Sequence, residues 1–125
     1  VAEQKPFRFG VNLHRFASRA ELVDRVRRAE QFGYDIVCVA DHLGKFAPFP
    51  ALVAAAEATT GSVSARSSST RASTTRCCWP ARSRAPTSCS TADQLRAHRA
   101  RYGITYFTVL EDALDSFAGV ITRLR

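Results

Sequence analysis

Tyr34-Asp35-Ile36-Val37-Cys38-Val39-Ala40-Asp41-His42 is the stretch that decides the fold. Its middle is apolar and rich in β-branched residues. It is short, with Gly33 before it and charge after it. That is the pattern of a strand buried on both faces, as in a parallel sheet. Its C-terminal end delivers an acid and an imidazole side by side. In barrels of alternating strands and helices, the chemistry sits at that end of the strands.

The residues on the N-terminal side complete a unit. Phe7-Arg8-Phe9-Gly10-Val11-Asn12-Leu13 alternates large apolar residues and reads as a first strand. Ser18-Arg19-Ala20-Glu21 has the form of a capping box, in which a serine accepts a backbone N–H and the glutamate reaches back. Leu22, Val23, Val26, Ala29 and Phe32 follow at helical spacing, and Gly33 stands where a left-handed C-cap is needed. Residues 7–40 are thus expected to run strand, helix, parallel strand.

The C-terminal part repeats the logic. Thr91-Ala92-Asp93-Gln94 can cap a helix carrying Leu95, His98, Ala100 and Tyr102, with Gly103 ending it. Ile104 to Leu110 is a second strong strand pattern. Asp112 is expected to cap a last helix whose apolar face is Leu114, Phe117, Ala118, Ile121 and Leu124.

In their order and spacing, Phe9-Gly10-Val11, Glu21-Leu22-Val23, Ala29-Glu30-Gln31-Phe32-Gly33-Tyr34-Asp35 and Val39-Ala40-Asp41-His42 resemble the luciferase-like flavin and deazaflavin oxidoreductases. The resemblance is to the coenzyme F420-dependent members above all. Tyr102 to Ala113 is similar to that family's last barrel strand and the start of its last helix. The likeness spans residues 7–60 and 92–124. It implies an α/β fold, a piece of a (β/α)8 TIM barrel. It also implies hydride transfer between F420, or alternatively FMN, and a small organic substrate. On this resemblance His42 is the catalytic residue that handles the proton, as an imidazole titrating near neutrality can. Asp41, Asn12 and His14 are then the cofactor-binding residues. Such a barrel takes about 250 residues, and this chain has 125. The expectation is therefore a remnant holding the beginning and the end of a barrel and lacking most of its wall.

The middle of the chain follows a different composition. After Val63 no Leu, Ile, Val or Phe occurs before Leu95, and no apolar period survives. Ser, Arg, Ala, Thr, Pro and Cys dominate, as they do in GC-rich coding DNA read out of frame. The genetic code makes a check available. Joining each codon's third base to the next two bases turns Cys77-Cys78 into Leu, Cys78-Trp79 into Leu and Trp79-Pro80 into Ala, whatever codons were used. An apolar Leu-Leu-Ala run suits a barrel helix. The expected organisation is thus 1–60 as the N-terminal β-α-β part, 61–91 as an out-of-frame, low-complexity segment without regular structure, and 92–125 as a helix-strand-helix end.

That segment also explains the charge. The chain carries +7 with an isoelectric point near 9.9, a balance that ordinarily points to an acidic partner. Between Glu57 and Asp93 lie five arginines and no acidic residue, and without those arginines the excess falls to +2. Nucleic acid is therefore not the partner first expected; the alternatives to an oxidoreductase remnant are a non-catalytic interaction module or an adventitious basic nucleic-acid binder. Cys38, Cys77, Cys78 and Cys89 do not form a disulfide framework and are expected as reduced thiols. Cys77 and Cys78 lack the spacer of a zinc site, so no metal is assigned to them with Cys89 and His98. There is no charged-then-apolar leader and no apolar run near ~18 residues, so a cytoplasmic protein without a membrane partner is expected. Exposed sheet edges and apolar faces lead to an expectation of self-association. Gly44 to Pro50 is read as a loop after the second strand, and Glu111-Asp112 as helix capping rather than chemistry.

Overall fold

The computed structural model describes residues 5–40, 47–61, 63–68 and 88–125. In chain order the elements are β1 (Arg8–Leu13), α1 (Arg19–Phe32), β2 (Ile36–Ala40), α2 (Pro48–Ala58), β3 (Ser64–Ser68), α3 (Ser88–Tyr102), β4 (Tyr106–Leu110) and α4 (Leu114–Leu124). A 3-10 turn over Glu111–Ala113 joins β4 to α4. The fold class is α/β. The four strands form one sheet in the order β3-β2-β1-β4, and every pairing is parallel.

Alternation along the strands separates two faces. Phe9, Val11 and Leu13 of β1, Val37 and Val39 of β2, and Phe107 and Val109 of β4 are buried in one cluster. Leu22, Val26 and Ala29 of α1 join it, as do Ala51, Ala54 and Ala55 of α2. Ala92 and Leu95 of α3 and Leu114, Val120 and Ile121 of α4 complete it. All four helices thus pack on the same side of the sheet. Gly10 and Asn12 alternate with that cluster and belong to the opposite face, together with Thr108 and the exposed Leu110.

Local chemistry accounts for the first unit. Ser18 caps α1 by accepting from Glu21 N at 3.2 Å, while the Glu21 carboxylate accepts from Ala17 N at 2.8 Å. Gly33 ends the helix with φ 87°, and Tyr34 N returns to Ala29 O. The Asp35 carboxylate accepts from Phe9 N at 2.8 Å and from Arg125 Nη2 at 2.7 Å, tying the start of β2 to β1 and to the end of α4.

Several expectations are corrected. Pro48–Ala58 is a helix where a loop through Pro50 was read, because Pro48 stands in the first turn, where its missing N–H costs nothing. Asp112 does not cap α4: Ala113 occupies the N-cap, and Asp112 pairs instead with Arg15 at 3.2 Å. α3 begins at Ser88, so Thr91 lies inside it, buried rather than capping. His98, Ala100 and Tyr102 are exposed, and the inward positions of that helix are Thr91, Ala92 and Leu95. Ser64–Ser68 and the first turn of α3 are regular within the stretch 61–91 expected to lack structure. The ladder to β2, from Ile36↔Ser64 to Ala40↔Ser68, supplies backbone hydrogen bonds whatever the side chains. Residues 69–87, with Cys77 and Cys78, lie outside the described residues.

Candidate functional site

In parallel sheets of this kind the chemistry sits at the C-terminal strand ends, and of the candidate residues Asn12 and His14 stand there. Asn12 sits one residue from the end of β1, opposite Cys38 of β2 and Leu110 of β4. Its Oδ1 is buried and has no hydrogen-bond partner among the described residues. His14 follows β1 directly. Its Nδ1 lies 3.5 Å from Asn12 O and 3.8 Å from Glu111 Oε2. Asp41 and His42 come immediately after β2 and lie outside the described residues.

Glu111 organises this end of the sheet, which its reading as a capping residue did not foresee. Its Oε2 accepts from His14 N at 3.0 Å and from Arg15 N at 2.7 Å. Its Oε1 forms an ion pair with Arg25 of α1. The Glu111 side chain is only 8% exposed, so the pair works in a partly dry setting where a lone carboxylate would be costly. The signal in the sequence was an acid placed directly after the last strand. Its partners, His14 and Arg15, are 97 and 96 residues away, and no local spacing reveals them.

On the sheet face opposite the helices, Gly10 is closely approached. A Cβ placed there would come 2.6 Å from the Tyr106 hydroxyl and 3.1 Å from Thr108 Oγ1. The absent side chain of Gly10 is thus replaced by Tyr106. A hollow of about 490 Å³ lies away from the sheet, between α1 and α2, lined by Phe16, Leu22, Pro50, Ala51 and Val53. The Arg19–Glu57 ion pair borders it at 2.6 Å.

At the ends of β1 and β4, Arg25 pairs with Glu111 and the exposed Arg15 with Asp112. Among the described residues no group of three or more His, Cys, Asp and Glu side chains could hold a metal ion. No helix among them is long and apolar enough to cross a membrane. Comparison with protein-family models, with curated proteins and with solved structures finds no match to this chain.

Proposed function

We propose that this chain is a remnant of a luciferase-like, F420-dependent oxidoreductase barrel that no longer turns over substrate. One observation carries the reading. The first and last strands pair in parallel, from Arg8↔Tyr106 to Asn12↔Leu110, with β1 between β2 and β4. In a closed barrel of strand-helix units, the first and last strands are parallel neighbours. The resemblance at Val39-Ala40-Asp41-His42 and at Tyr102 to Ala113 supports the same origin.

In that origin the reaction is hydride transfer between F420, or FMN, and a small organic substrate. His42 would move the proton, and Asp41, Asn12 and His14 would line the cofactor pocket. In this chain Asn12 and His14 stand at the end of β1, beside the ion pair of Glu111 with Arg25. Among the described residues β3 and β4 each pair on one side only, which favours self-association in a cytoplasmic setting over cofactor binding.

The test is titration of the purified chain and of His42→Ala with F420 and with FMN, followed by fluorescence. The expected result is no turnover and no saturable binding at micromolar cofactor. Tight binding that His42→Ala abolishes would overturn the inactive-remnant reading. Sequencing the coding DNA tests the origin separately: the second frame between codons 61 and 91 is expected to continue as barrel strand and helix, and its failure to do so would remove the frameshift.

A further inference from the structure

We draw no further inference here: the strongest candidate, the apolar hollow between α1 and α2 bordered by the Arg19–Glu57 ion pair, carries nothing because nothing in the structure shows what covers it.

Discussion

Tyr34 donates its phenolic hydroxyl to the carbonyl oxygen of Leu114 at 3.0 Å, across 80 residues of chain. Tyr34 is 2% exposed and stands between the C-cap of α1 and the start of β2. The bond therefore fixes the first turn of α4 to the β1-α1-β2 unit. Burial, and then the nearby negative charge of Asp115, push the phenol well above its ordinary value. The native state holds its proton where the unfolded chain has released it.

A pH dependence follows with a definite sign. Below the ordinary tyrosine value of 10.0 both states are protonated, and the contribution of Tyr34 to stability is fully present. As pH rises past 10.0 the unfolded state ionises and the native state does not, so stability falls until the folded-state value is reached. Urea unfolding of the wild-type chain from pH 8 to 11 is expected to show this loss at up to about 1.4 kcal/mol per pH unit. Tyr34→Phe is expected to be about 1 kcal/mol less stable near neutrality. The difference between the two proteins should then shrink above pH 10.0, and a constant difference would refute the account.

The Glu111–Arg25 pair gives a second prediction. Glu111→Ala removes the acceptor of two backbone N–H groups and leaves Arg25, only 28% exposed in its side chain, without its carboxylate. A loss of about 3 kcal/mol is expected. Glu111→Gln keeps a carbonyl acceptor for His14 N and Arg15 N and should lose less. The double substitution with Arg25→Ala should cost less than the two single losses added together, by about 1–3 kcal/mol. Additive losses in denaturant unfolding would show that the two side chains do not act as a pair.

Close approach at Gly10 gives a third. Gly10→Ala forces a methyl group against the Tyr106 hydroxyl and Thr108 Oγ1, and a loss of about 1–3 kcal/mol is expected. Removing the hydroxyl with Tyr106→Phe deletes the nearest of those atoms, so Gly10→Ala should be milder in that background. Thermal unfolding of the four proteins settles it, and an equal cost in both backgrounds would place the clash elsewhere.

The sequence exposed some of this fold and hid the rest for physical reasons. Ser18, Gly33 and the run Ile36–Ala40 carry strong local chemistry, so their elements could be read directly. The face of α4 was legible through Leu114 and Ile121, because its apolar period is clean. In α2 the inward residues are Ala51, Ala54 and Ala55, set in a run apolar on all sides, so no period marks the helix. β3 is Ser-Ala-Arg-Ser-Ser, which has little strand preference of its own; its pairing with β2 overrides composition. Asn12 and His14 were placed at the strand end by topology alone. The lock formed by Glu111 needed three dimensions, because its partners come from β1's loop and from α1.

The strand order yields the last prediction. β1 is hydrogen-bonded on both sides, to β2 and to β4, and Phe9, Val11 and Leu13 are fully buried. Each β1 amide donates to one side only: Arg8 N to Thr105 O before β4, and Phe9 N to the Asp35 carboxylate before β2. β3 and β4 pair on one side each among the described residues, and Thr108 and Leu110 of β4 are exposed. Opening of β4 breaks one ladder and uncovers Phe107 and Val109, whereas opening of β1 disrupts the centre of the core. Native-state hydrogen exchange followed by NMR should therefore find the slowest amides among those bonded between β1 and β2, with the β1 amides that donate to β4 exchanging together with β4, and β3 faster still. The gap between the β1–β2 amides and those of the β1–β4 ladder is expected to exceed tenfold in exchange rate, or more than about 1.4 kcal/mol of opening free energy. If the amides of Tyr106–Leu110 exchange as slowly as those of the β1–β2 ladder, then β4 is paired on both sides in solution. Its place at the edge of a four-stranded sheet would then be wrong.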